Sequence, residues 1–156
     1  MSENNVKNDN LNDCLNYLYT HIGKYSKTKK GYINKLYEKG FTTNVINKAI
    51  AIAEEKRFIN DENFAQDYVS ININKKGALK IKSELIIKGI EQNIIEKYLE
   101  DIDESNKAYV LAEKFIKDKE LDMKLIGKLY RHLCSKGFSY ETVNNVVYRI
   151  KNSDDI

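Results

Sequence analysis

One short string, repeated, limits what this chain can become. The pattern L-x-x-K-G-[FI] occurs three times: Leu36, Lys39, Gly40 and Phe41; Leu85, Lys88, Gly89 and Ile90; and Leu133, Lys136, Gly137 and Phe138. The glycines are 49 and 48 residues apart. The match runs on past each glycine. Val45, Ile46, Ala49 and Ile50 align with Ile94, Ile95, Tyr98 and Leu99, and again with Thr142, Val143, Val146 and Val147. A fixed period of this size marks a tandem array of supersecondary units rather than one irregular domain.

The hexapeptide has a physical reading. A glycine just past a helix end takes the left-handed conformation at no steric cost. The residue four before it then meets the residue after it in the apolar contact of a Schellman cap. Lysine before each glycine sits at the negative end of the helix dipole. Gly40, Gly89 and Gly137 are therefore predicted to be structural caps, each stopping the middle helix of a repeat. A second helix follows each stop. Thr42 and Ser139 are N-cap candidates and Glu91 gives an acidic first turn. Apolar residues then recur at helical spacing, as in Val45, Ile46, Ala49, Ile50 and Ala53. A further amphipathic helix is predicted upstream of each cap, near 11–22, 61–74 and 106–117.

The expected fold is all-α: three tandem three-helix repeats over 11–56, 57–104 and 105–152, behind a disordered polar tail over 1–10. Composition agrees. The chain has 156 residues, no Pro and only seven Gly, too few turn-formers for a β-sandwich or barrel. Val69 to Asn74 alternates with period two, but nothing elsewhere would pair with it, so helix is predicted there.

Net charge is only +3, and its distribution says more. Over residues 24–48, Lys24, Lys27, Lys29, Lys30, Lys35, Lys39 and Lys48 face one acid, Glu38, a net +6. Residues 75–88 carry Lys75, Lys76, Lys80, Lys82 and Lys88 against Glu84, and 128–136 carry Lys128, Arg131 and Lys136 with no acid. Residues 54–67 and 91–104 are acidic, net −3 and −5. Charge thus alternates in phase with the repeat. Equivalent helices of a tandem array tend to face one way, so three basic middle helices would form a positive stripe. Such a stripe suits phosphate or an acidic protein surface; solvated faces are the plain alternative. Five tyrosines lie in or beside the first basic stretch: Tyr17, Tyr19, Tyr25, Tyr32 and Tyr37. They read first as core, and alternatively as a platform for stacked bases.

Catalytic signatures are missing. There is no G-x-x-x-x-G-K-[ST] loop, no H-E-x-x-H pair and no G-x-S-x-G elbow. His21 and His132 are expected to be ordinary surface or boundary residues, and Cys14 and Cys134 free thiols of an intracellular protein. No leader is apparent, and no apolar run approaches the ~18 residues of a membrane span. The chain is expected to be a cytoplasmic binder, not an enzyme, with no cofactor and no metal.

Two stretches carry a resemblance. Residues 58–69, with Asp61, Phe64, Ala65 and Tyr68, and residues 77–90, with Gly77, Glu84, Leu85, Lys88, Gly89 and Ile90, resemble the signature of the RecX regulators. Lys136, Gly137 and Phe138 look like that family's C-terminal repeat. The resemblance runs from about Leu11 to Ile150. It implies an elongated, curved array, its handedness open, and a role in modulating RecA, usually as an inhibitor. Such a protein would lodge in the groove of the RecA–single-stranded DNA filament and hinder strand exchange, ATP turnover and co-protease activity. It also implies weak DNA binding, with Lys75, Lys76 and Lys80 the matched basic positions; a monomer is expected. The alternative is a stand-alone helical-repeat nucleic-acid-binding or transcriptional regulator.

Overall fold

The structure is a computed structural model, in which residues 6–153 are described. Nine α-helices and no strand occur among the described residues: α1 Leu11–Lys24, α2 Lys29–Lys39, α3 Thr43–Glu55, α4 Asp61–Asn72, α5 Ala78–Ile87, α6 Gln92–Leu99, α7 Glu104–Ile116, α8 Met123–Ser135 and α9 Tyr140–Asn152. They form an all-α array of three-helix repeats. Val69 to Asn72 is the last turn of α4, so the alternating segment is helical up to its final two residues. A strand there would have had no neighbour to bond to.

The helices group into two compact units. The first holds residues up to Ala65 together with Ile87–Glu91. Its core is the inner faces of α1, α2 and α3, where Cys14, Leu18, Tyr32, Leu36, Ile46 and Ala49 are buried. The second holds Gln66–Ile86 and residues from Gln92 onward. There α7, α8 and α9 enclose Ala112, Leu129, Leu133, Val143 and Val146.

The three glycines adopt positive φ: 99° at Gly40, 85° at Gly89 and 93° at Gly137. After α2, Gly40 N–H donates to the Tyr37 carbonyl (3.0 Å) and Phe41 N–H to that of Leu36 (3.2 Å). After α8, Gly137 N–H reaches Cys134 (3.0 Å) and Phe138 N–H reaches Leu133 (3.3 Å). Both are Schellman pairs. Ser139 caps α9 through Thr142 N–H at 3.2 Å. Thr42 also stands at an N-cap, but its hydroxyl is drawn away to Asp9 Oδ1 at 2.9 Å.

Two of the caps, at Gly89 and Gly137, double as joints. In the first unit the N-terminus of α2 rests on the C-terminal carbonyls of α5. Thr28 Oγ1 donates to the Lys88 carbonyl (2.6 Å) and Lys30 Nζ to that of Ile87 (3.2 Å). Lys29 N–H, left over at the helix start, donates to Asp61 Oδ1 at 2.8 Å. In the second unit the N-terminus of α5 rests likewise on the end of α8. Gly77 N–H donates to the Lys136 carbonyl (2.7 Å) and Leu79 N–H to that of Gly137 (3.1 Å). Ala78 N–H donates to Glu104 Oε1 at 2.7 Å. Asp61 and Glu104 are the first residues of α4 and α7, so one acid at one repeat position serves both joints. These glycines are thus constrained in space as well as in φ. A Cβ on Gly89 would stand 2.7 Å from the Lys30 side chain, and one on Gly137 would stand 2.2 Å from Lys80 Cβ.

Glu104 also accepts from Thr142 Oγ1 at 2.8 Å. Glu104→Ala leaves Ala78 N–H and the Thr142 hydroxyl without their acceptor, and an unpaired buried polar group costs ~1–3 kcal/mol. Thermal melting should show a loss of that order, with Glu104→Gln closer to the unaltered chain.

The tail expectation needs correction where the structure describes it. Residues 1–5 lie outside the described residues. Asn8 to Asn10, however, are bound in place. Asn8 forms a parallel bridge with Phe41, its N–H donating to the Gly40 carbonyl (2.8 Å) while its own carbonyl accepts from Thr42 N–H (3.0 Å). Asn10 caps α1 through Asp13 N–H at 3.1 Å. A polar stretch looks like a tail in sequence because its bonds are to backbone, which leaves no apolar signature.

Candidate functional site

The sequence singled out cations, and the structure sorts them by what they touch. Lys29 pairs with Glu54 (2.8 Å), Lys35 with Glu38 (3.2 Å) and Lys76 with Glu84 (2.8 Å). The third sits in a half-buried cluster. Tyr68 Oη donates to Glu84, and the Lys76 ammonium lies 5.8 Å from the Tyr68 ring centroid. Burial opposes ionisation of Glu84, but the Lys76 and Tyr68 hydrogen bonds outweigh it and lower its pKa. The Glu84 hydrogen bond likewise raises that of Lys76. Lys76 is held as a structural cation.

Other candidates stay exposed. Lys24 ends α1, Lys39 ends α2 with its ammonium 5.4 Å from the Tyr17 ring centroid, and Lys75 precedes α5. Lys80 is exposed on α5 although its backbone lies against Gly137. Lys128 and Arg131 are exposed on α8; Lys136, half-exposed, follows it and lends its carbonyl to Gly77. Lys82 lines an apolar hollow of about 370 Å³ with Leu79, Ile95 and Leu99.

Three candidates converge. Lys27, Lys30 and Lys88 line one open pocket of about 300 Å³ in the first unit, with Ser26, Thr28, Asn34, Phe64 and Ile87. Phe64 provides an aromatic wall, with the Lys88 ammonium 5.9 Å from its ring centroid. The joint builds the pocket: the α2 start contributes Lys27 to Asn34, the α5 end contributes Ile87 and Lys88. Three ammonium groups, two hydroxyls and an amide around an aromatic face suit a phosphate-bearing or acidic ligand. Ser26, Thr28 and Asn34 were missed by sequence reasoning. They carry no charge and become neighbours of Lys88 only through a contact across 60 residues.

The tyrosines divide between the two readings. Tyr32 is core, its hydroxyl donating to the Tyr25 carbonyl at 2.6 Å. Tyr17 and Tyr19 are half-buried, while Tyr25 and Tyr37 are exposed.

Both histidines are half-buried and held below their ordinary pKa. For His21 the causes are burial, then Lys27, Lys35 and Lys24; for His132, burial, then Lys136 and Lys119. His21 Nε2 is buried without a hydrogen-bond partner, and His132 stacks on Phe115 with centroids 4.4 Å apart. A histidine of lowered pKa binds its proton more weakly folded than unfolded. As pH falls through about 6.5 the unfolded chain takes up protons that the folded chain resists, and stability declines. The melting temperature should therefore fall between pH 7.5 and 5.5 (roughly the histidine range). His21→Gln with His132→Gln should flatten that dependence.

No helix among the described residues is long and apolar enough to cross a membrane. The helix order, the repeated glycine joints and the basic pocket define a helical-repeat protein of three-helix units that carries a cluster of surface lysines. Comparison with known proteins gives the class its family. Residues 60–99 match the second three-helix domain of RecX, and residues 102–147 match the third. A regulatory protein RecX of Clostridium perfringens is 38% identical, over 96% of this chain and 74% of its own length. One from Clostridium beijerinckii is 34% identical, over 93% and 71%. The crystal structure of RecX from Lactobacillus salivarius superposes with a TM-score of 0.81 at 27% identity, covering 90% of this chain and 96% of that one. The chain belongs to the RecX family of regulatory proteins.

Proposed function

We propose that this protein regulates RecA by lodging in the groove of the RecA–single-stranded DNA filament and slowing strand exchange, ATP turnover and co-protease activity. It acts as a cytoplasmic monomer, by binding rather than catalysis, and touches DNA weakly. Family membership supports the partner. The observation that carries the mode of action is the convergence of Lys27, Lys30 and Lys88 beside Phe64 in one open pocket. A filament of protein and phosphate offers acidic groups at close spacing, and lysines meet them as generic point charges. The exposed Lys75, Lys80, Lys128 and Arg131 add contacts of the same kind.

Co-sedimentation tests this reading. Filaments of the cognate RecA should carry the protein into the pellet, while single-stranded DNA alone should carry little. Strong pelleting with DNA alone, falling steeply with salt, would instead favour a stand-alone nucleic-acid binder.

A further inference from the structure

The joint recurs, and its first occurrence is filled differently. At Gly89 and at Gly137, the carbonyls ending a middle helix accept donors from the start of the preceding middle helix. The glycine there is crowded by an incoming lysine, Lys30 or Lys80. Gly40 ends the first middle helix with a similar positive φ and with the cap bonds seen at Gly137, yet no atom lies within 4 Å of where its Cβ would be. Its carbonyl is not idle. It accepts from Asn8 N–H at 2.8 Å, the bond that Leu79 N–H makes to Gly137 in the second unit. The strap is fastened twice more, by Thr42 N–H to the Asn8 carbonyl and by Thr42 Oγ1 to Asp9. Two bonds within the strap stiffen it, Asn10 N–H to Asn8 Oδ1 (2.8 Å) and Asn8 Nδ2 to Asp13 (3.2 Å). The first repeat also has Leu11 where the others have Asp61 and Glu104, so it lacks the acid that completes a joint.

We propose that the end of α2 at Gly40 is a joint surface, that Asn8 to Asn10 cover it in place of a preceding repeat, and that once uncovered it takes the start of a middle helix from a second copy of this chain. The helix that docks is α8, whose start makes no joint within the described residues and carries Met123 at 78% exposure. The contact is heterologous, so it can propagate from copy to copy; the strap and Leu11 both work against that. Terminal units of repeat proteins need such closure to stay discrete.

The experiment uses the full chain with Asn8→Pro and Asp9→Ala, which remove the donor to Gly40 and the acceptor for Thr42 but leave the Asn10 cap. Sedimentation velocity over rising concentration should show its average mass climbing towards twice that of the unaltered chain, or beyond. Adding Gly40→Ala should reverse the rise, because a methyl group there meets the incoming side chain as it would at Gly89. Asp9→Ala alone, the gentler change, should give a smaller rise. Circular dichroism establishes that each variant is folded. The proposal is overturned if the folded double variant, or Asp9→Ala should the double variant not fold, matches the unaltered chain at every concentration. It is equally overturned if the association is indifferent to Gly40→Ala.

Discussion

Gly77→Ala should be among the most damaging single-methyl changes in this protein. Gly77 is buried, and the reason it must be glycine is space. A Cβ there would stand 2.2 Å from the carbonyl carbon and oxygen of Gly137 and 2.3 Å from Phe138 N. All three are backbone atoms, held by the cap that ends α8, so no side chain can swing aside. Relief requires moving α5 off α8, which strains the 2.7 Å bond from Gly77 N–H to Lys136 and the two bonds beside it. Overpacking in a rigid site costs typically 1–3 kcal/mol, and lost bonds add to it, so a loss of about 3–5 kcal/mol is expected. At roughly 2–4 °C per kcal/mol for a chain of this size, the melting temperature should fall by about 10 °C or more. Gly127→Ala is the control. It lies inside α8 with open space around its Cβ, and alanine there should raise stability by about 0.5–1 kcal/mol. An unchanged melting temperature for Gly77→Ala would show that the joint yields.

The second large effect is on binding. Lys27, Lys30 and Lys88, each changed to Glu, invert the charge of the pocket while leaving the Schellman caps in place. Co-sedimentation with RecA filaments should fall by at least ~10-fold at moderate salt, and the remaining binding should depend less on salt. Lys48→Glu with Lys151→Glu, on exposed positions of α3 and α9, makes a smaller charge change at residues that do not line the pocket and should leave binding near normal. Lys30 also bonds the Ile87 carbonyl, so a melting curve must accompany the triple variant. Equal loss in both sets would assign the effect to net charge and remove the pocket from the account.

How much of this could be read beforehand depended on the range of the interaction. The repeats, the glycine caps and the apolar faces of α3 and α9 were legible because each is a local pattern, fixed by helical period and by the φ that glycine tolerates. Helix ends without glycine were harder. The turns after α3 and α7 put Arg57 at φ 58° and Asp118 at φ 59°; arginine does not signal that conformation, and aspartate, which tolerates it, is too common elsewhere to mark it. The joints were hidden. Gly77 and Gly137 are 60 residues apart, and nothing in either neighbourhood says that they touch. The site was half legible. The lysines stand out as a class, but Lys29, Lys35 and Lys76 looked the same as Lys27 and Lys30 until their carboxylate partners were seen. Asn8 and Asp9 were read as tail because their bonds join backbone and polar atoms, which periodicity cannot register.

The central claim is that this protein acts on RecA, and ATP turnover reads it most directly. RecA from the same organism is assembled on single-stranded DNA, hydrolysis is followed at steady state, and the protein is titrated in. The expected result is a rate that falls with added protein and saturates, with the Lys27, Lys30 and Lys88 variant needing at least about ten times more for the same effect. An unchanged rate at every concentration, with no protein carried down by the filaments, would contradict it.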